Sequence, residues 1–376
     1  MSEPFRPPPY PYDRLDAVRA VASALPGGAV DLSVGTPCDE PSPAVVRALG
    51  RDVAGYPPSV GTTAFRQAAS TWFAERLAVD IDPATVAACI GTKEFVAGLP
   101  HWLRLRRPDR DTVLYPAVSY PSYAMGALLA GCRAVPVPVD EHWRIDLTAI
   151  DPDDAARALV LWVNTPGNPA GGLDDLVAAA EWGRSSDVPV CSDECYVEFT
   201  WAGEPAAPGL PPGRTILEAG VDGVLAVHSL SKRSNLAGVR AGFYAGDPEL
   251  VGYLTEVRKH AGLMVPGPAQ AAAVAALGDQ VHVEEQRSRY RTRLGRLAAI
   301  LTAAGHPAPM PDGGFYLWVP TPNPWEFLEH LAATLGIVAS PGEFYGRSAV
   351  NHVRLAVVQP DAAFDLIEER ADSARR

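Results

Sequence analysis

GVLAVHSLSK, residues 223–232, runs from a glycine through four apolar residues and a histidine directly into two serines and a lysine. A short apolar run bounded by glycine is the pattern of a strand buried on both faces. Polar residues just past such a strand lie where open α/β sheets collect ligands. VPVCSDECY, residues 188–196, repeats the arrangement, with an apolar run at 188–192 followed by Asp193 and Tyr196. Further strand-like runs occupy 86–90, 111–115, 134–139 and 158–163, and the Ala-, Leu- and Arg-rich stretches 121–130 and 173–184 between them read as helices. This alternation predicts an α/β fold with a mostly parallel sheet and crossover helices.

Beyond the central region the pattern changes. Residues 268–304 read as long helical segments, with Gly278 an interruption and Gly305 near the stop. Apolar segments at 314–319, 337–340 and 352–357, with a helical stretch at 325–335, predict a second, smaller α/β unit. Residues 29–34 are strand-like and are expected to join it, while 201–213 form a Pro- and Gly-rich loop.

The 376 residues are 47% hydrophobic and 20% charged, an ordinary globular composition with room for two domains. A net charge of -12 argues against nucleic-acid binding, which relies on clustered basic residues. No apolar run approaches the ~18 residues of a spanning helix, and the first residues lack a basic-then-apolar signal, so a cytoplasmic protein without membrane contact is expected. The five cysteines are scattered without zinc-like spacing, and no metal site is expected. Cys191 and Cys195 are expected to be buried packing residues.

Lys232 can condense with an aldehyde, and its amine, once released, can act as general base and acid toward a substrate α-carbon. Asp193 can keep a pyridine nitrogen protonated. Ser229, Ser231 and Arg240 can hold a phosphate, together with Gly91, Thr92 and Lys93 where an apolar run meets a helix start. An amine, an acid and a phosphate cup are what pyridoxal 5'-phosphate (PLP) requires. Singly, each residue has a simpler reading as a turn cap or a surface charge.

The motifs and their order resemble the fold-type-I, class I/II aminotransferases from about residue 31 to residue 370. The resemblance implies a large domain with a mostly parallel sheet and a smaller C-terminal α/β domain: an N-terminal arm at 1–44, a PLP-binding domain at 45–265, and an interdomain helix with the small domain at 266–376. It implies a Schiff base on Lys232, with Asp193 on the ring nitrogen and Tyr196 and Asn168 on the ring oxygen. It makes Tyr120 the stacking ring, Arg354 the grip on a substrate α-carboxylate, with Gly35 and Asn168 also against the substrate. Tyr56 would reach the cofactor phosphate of the neighbouring subunit in a homodimer with shared sites.

Fuller stretches, among them DLSVGTP at 31–37, SDECY at 192–196 and SPGEFYG at 340–346, resemble the actinobacterial succinyldiaminopimelate transaminases. That branch implies amino transfer from N-succinyl-LL-2,6-diaminopimelate, the amino donor, to 2-oxoglutarate, a 2-oxo acid acceptor. Two positions depart from it: Ala117 stands where an acidic residue is usual, and Val239 where an aromatic one is. They leave open a diverged PLP enzyme (aminotransferase, lyase, decarboxylase or cyclase) acting on another amino acid in a specialised pathway.

Overall fold

The computed structural model describes residues 5–374. Its strands are β1 (Val30–Asp31), β2 (Val86–Cys89), β3 (Thr112–Pro116), β4 (Arg133–Val137), β5 (Ala158–Asn164), β6 (Val190–Asp193), β7 (Val224–Ser229), β8 (Gly242–Gly246), β9 (Tyr316–Pro320), β10 (Ile337–Val338), β11 (Ser340–Pro341) and β12 (His352–Ala356). Seven of them form one sheet in the order β2-β8-β7-β6-β5-β3-β4. The pairs from β7 to β4 are parallel, and β8 runs antiparallel to both its neighbours.

The interior strands are apolar on both faces because both faces are covered. Val190, Val224 and Ala226 point into one core with Phe65, Trp72 and Phe73, while Cys191, Leu225 and Val227 point into the other with Phe95, Leu99 and Tyr123. Strand β4 is the exception: it lies at the sheet edge, carries Pro136 and is partly exposed. A proline lacks the N–H for a second ladder, so the edge is where it fits.

The sequence pattern finds the parallel strands to within a few residues and misses β8. GFYAG has two glycines in five residues, which weakens the strand signal. Strand β6 extends through Asp193, so the acid ends the strand rather than following it.

A third core gathers Leu15, Val18, Ala22, Val30 and Leu32 with Leu294, Leu317, Leu331, Val353 and Ile367. Here β9, β11 and β12 form an antiparallel sheet, and β1 pairs in parallel with β10, Val30 opposite Ile337. The N-terminal strand therefore joins the C-terminal elements, as residues 29–34 led us to expect. Helices Gly267–Leu277 and Gln280–Ala303 meet at Gly278, the interruption read from the sequence. Among the described residues no helix is long and apolar enough to cross a membrane.

Candidate active site

Strand register brings the motif residues to one edge of the sheet. Asn164, the last residue of β5, lies opposite Asp193, the last of β6, and Ser229 ends the adjacent β7. Beyond these ends is a cavity of about 490 Å³. Gly35, Thr92, Lys93, Tyr120, Asn168, Asp193, Tyr196, Ser229, Ser231, Lys232, Arg240 and Arg354 all line it. Gly91 lies directly behind, at +71° in φ, where an added methyl group would collide with the Arg240 guanidinium. Tyr56 is the one predicted residue set apart: its side chain is 94% exposed and outside the cavity of its own chain.

The charged groups share an unusual property. Arg354 is 2% exposed, yet among the described residues its guanidinium donates only to neutral oxygens, Asn168 Oδ1 at 2.8 Å and Ser33 O at 2.5 Å, and its buried Nε has no partner there. Tyr316 and Tyr345 lie against it, at 4.2 and 4.7 Å from ring centroids. Asp193 is buried and accepts from Tyr123 Oη at 2.8 Å and from Cys195 N at 3.2 Å. Burial pushes its carboxyl above the usual range. Lys232 Nζ donates to the carbonyl of Gly35. Burial pushes its amine down to about 8, and Arg354 and Arg240 act in the same direction. Among the described residues none of these three groups forms a salt bridge within the chain. A buried charge without a mate is costly, so the cavity is built for a ligand that brings an anion to Arg354 and a cation to Asp193.

The phosphate end fits equally well. Helix Thr92–Arg106 starts at Gly91 with no side-chain cap, leaving its first N–H groups directed outward. Ser229, Ser231 and Arg240 stand beside it; Arg240 donates only to Ala237 O, at 2.8 Å, and is otherwise exposed to the cavity. An uncapped helix start, two hydroxyls and a free guanidinium, beside an amine of depressed pKa and a buried acid, match the donor set PLP needs.

A polar chain ties these parts together. Asn164 Nδ2 donates to Asp193 O at 2.8 Å, Asn168 N to Asn164 Oδ1 at 2.8 Å, and Arg354 to the Asn168 side chain. Its anchor is half-buried Asp174, which accepts from Ile145 N, Asn164 N and Thr165 Oγ1. Burial pushes that carboxyl up to about 6. Tyr196 Oη lies 2.8 Å from Tyr316 Oη, and a Cβ on Gly35 would strike the same Tyr316 hydroxyl.

Sequence reasoning missed Tyr123, Asn164, Asp174 and Tyr316. Tyr123 follows Tyr120 at helical spacing and Asn164 closes a strand run, but neither signal separates a site residue from core. One expectation is corrected. Cys191 is buried as anticipated, but Cys195 is only partly buried; it lines the cavity with Sγ 3.3 Å from Thr92 Oγ1, because the chain turns back at the end of β6.

Comparison with known proteins agrees with this geometry. Residues 28–367 match the model of the family described as aminotransferase class I and II. The chain is 41% identical to the 4-dedimethylamino-4-oxo-anhydrotetracycline transaminase OxyQ of Streptomyces rimosus, with 94% of this chain and 96% of that protein aligned. It is 42% identical to the probable aminotransferase Rv1178 of Mycobacterium tuberculosis, over 94% of this chain and 82% of the relative. Among solved structures it superimposes on a probable N-succinyldiaminopimelate aminotransferase from Thermus thermophilus with a TM-score of 0.82 and 28% identity, covering 97% of this chain and 100% of the other. The chain is a member of the class I and II aminotransferases, a family that uses PLP, and has the fold-type-I architecture of that family.

Proposed function

We propose that this chain is a PLP-dependent aminotransferase in which Lys232 carries the cofactor and Arg354 receives the α-carboxylate of the amino donor. The observation that carries the reading is the set of unmated charges around one cavity: the buried Asp193 and Arg354 and the half-buried Lys232. When bound, PLP supplies an aldehyde carbon for the amino group and an electron-poor ring that stabilises negative charge at the substrate α-carbon. Asp193 would hold a proton on the ring nitrogen, and a cation there would balance its own buried charge. Tyr196, the Asn168 amide and Tyr120 line the same cavity and would help to hold the cofactor ring, the first two as hydrogen-bond donors. Gly91, Thr92, Lys93, Ser229, Ser231 and Arg240 hold the phosphate. Lys232, with an amine near pKa 8, takes the α-proton and returns one. Asn168 Oδ1 and Ser33 O fix the Arg354 fork so that two N–H groups meet the carboxylate.

For the substrate, the motif stretches and the likeness to the Thermus protein support N-succinyl-LL-2,6-diaminopimelate with 2-oxoglutarate as acceptor. A second reading, a diverged enzyme of a specialised pathway, is favoured by the likeness to OxyQ and by the scarcity of spare cations in the cavity for further carboxylates. The same family reading divides the chain at 1–44, 45–265 and 266–376, in keeping with the separate cores. It also makes the protein a homodimer in which the exposed Tyr56 enters the neighbour's site. Mixing Tyr56→Ala with Lys232→Ala subunits should then restore activity above either parent through one intact site per hybrid.

The deciding experiment is to load the protein with PLP and screen amino donors by absorbance. Conversion to the pyridoxamine form, reversed by a 2-oxo acid, is expected. Release of carbon dioxide or ammonia without such conversion would instead indicate a decarboxylase or lyase.

A further inference from the structure

Residues 8–12, PPYPY, cross the mouth of the cavity, with all five residues lining it. Three of the five are proline, which pre-sets an extended backbone and lowers the cost of holding it in place. The strap is fastened on its far side. Tyr12 Oη lies 3.1 Å from Tyr345 Oη, and its ring meets Phe344 edge-on at 5.4 Å. Two residues on, Arg14 pairs with Glu343 at 2.7 Å and lies over the Trp325 ring at 4.8 Å. Tyr10, held 5.3 Å from Tyr12 between ring centroids, is 57% exposed.

The wall facing this strap is also apolar: Val34, Tyr120, Pro121 and Met125. The cations lining the cavity are Lys93, Lys232, Arg240 and Arg354. In the second, diverged-enzyme form of the aminotransferase reading, on which this inference rests, Lys232 and Arg354 serve the reacting end and Arg240 the phosphate. Lys93 stands in the first turn of the phosphate-facing helix. No guanidinium lining the cavity remains to pair with a second carboxylate at the strap end. A distal carboxylate would be desolvated against prolines and phenol rings with only Lys93, whose charge reaches Tyr10 but which this reading gives to the phosphate, as counter-charge, whereas a flat apolar group would find ring faces and edges there.

We propose that the strap is a specificity element, with Tyr10 as its contact residue, and that it selects substrates carrying an aromatic or similarly flat apolar group beyond the α-carbon over those carrying a second carboxylate. The ring of Tyr10 matters for this, and its hydroxyl does not.

The test uses the PLP-loaded enzyme with two non-reacting carboxylates, 3-phenylpropanoate and glutarate, whose dissociation constants are measured by calorimetry. Phenylpyruvate and 2-oxoglutarate serve as acceptors in parallel. The unaltered protein should favour the aromatic member of each pair. Tyr10→Ala should lower that preference about 3- to 10-fold, the range of a lost aromatic contact, and Tyr10→Phe should retain it. Preference for the diacids in the unaltered protein, or a Tyr10→Ala variant with unchanged selectivity, overturns the proposal. Conversion of the cofactor by small amino donors without aromatic preference overturns this inference alone; failure of every donor to convert it overturns the aminotransferase reading as well.

Discussion

Two of the clusters of buried charge in this molecule are built oppositely. Around Glu198 the buried charges are paired: its carboxylate accepts from Trp72 Nε1 at 2.7 Å, from Arg76 at 2.9 Å and from Arg233 at 3.3 Å, with Arg76 also bridging to Glu284. Burial alone would push the Glu198 carboxyl up, but Arg233 and Arg76 bring it below the ordinary range. Around Lys232 the charges are also enclosed, Asp193 and Arg354 fully and Lys232 in part, yet all three end on neutral partners. The first cluster is finished by folding. The second is finished only by a ligand, so buried charge marks a functional site where it is left unmated.

Substitutions should separate the two clusters cleanly. Lys232→Ala should lower multiple-turnover transamination by about 10⁴-fold or more, measured in steady state, while its thermal midpoint does not fall. The sign follows from the amine's depressed pKa. The cost of its charge in the folded state is fully present below about 8 and vanishes as pH rises toward the ordinary 10.5, so removal relieves it near neutrality. Glu198→Gln should do the reverse. Stranding Arg233, and leaving Arg76 only its half-exposed partner Glu284, should cost about 3–5 kcal/mol in a denaturant titration, with kcat of the folded fraction little changed. Because the folded Glu198 pKa is depressed, the stability it confers is present above its ordinary value and is lost as pH falls through the folded one.

Arg354→Leu should weaken the site without weakening the fold. A drop in kcat/KM for the amino donor equivalent to about 2–4 kcal/mol is expected, with PLP affinity and unfolding midpoint nearly unchanged. Loss of PLP with intact donor affinity would place the two arginines the wrong way round, since Arg240 is the one assigned to phosphate. The smallest effect is one of pH. The rate at which the apo-protein takes up PLP, followed by absorbance, should climb up to about tenfold per pH unit and level off near 8, where the Lys232 amine becomes neutral. A rate still climbing toward 10.5 would mean that the amine is not buried in solution.

The legible parts were those where one local pattern has one physical cause. Apolar runs ending in polar residues located β5, β6 and β7, because parallel strands must be apolar on both faces and ligands gather at their ends. Asp193, Ser229, Ser231 and Lys232 could therefore be placed together from the pattern alone. Strand β8 was not legible, since Gly242 and Gly246 carry no strand preference and its place is set by β2 and β7 on either side. Tyr123, Asp174 and Tyr316 were invisible for another reason. Each acts by touching a residue 9 to 120 positions away, Thr165 for Asp174, Asp193 for Tyr123 and Tyr196 for Tyr316, and nothing in their own neighbourhood announces it.

The central claim is that the unmated amine of Lys232 is the one that carries the cofactor. The chain's lysines are Lys93, Lys232 and Lys259, and Lys93 lines the same cavity. Reducing the PLP-loaded protein with borohydride and mapping its peptides therefore gives a decisive answer. The pyridoxyl group is expected on Lys232, with none on Lys232→Ala protein treated alike. A label on Lys93 or Lys259 in the unaltered chain would contradict the claim.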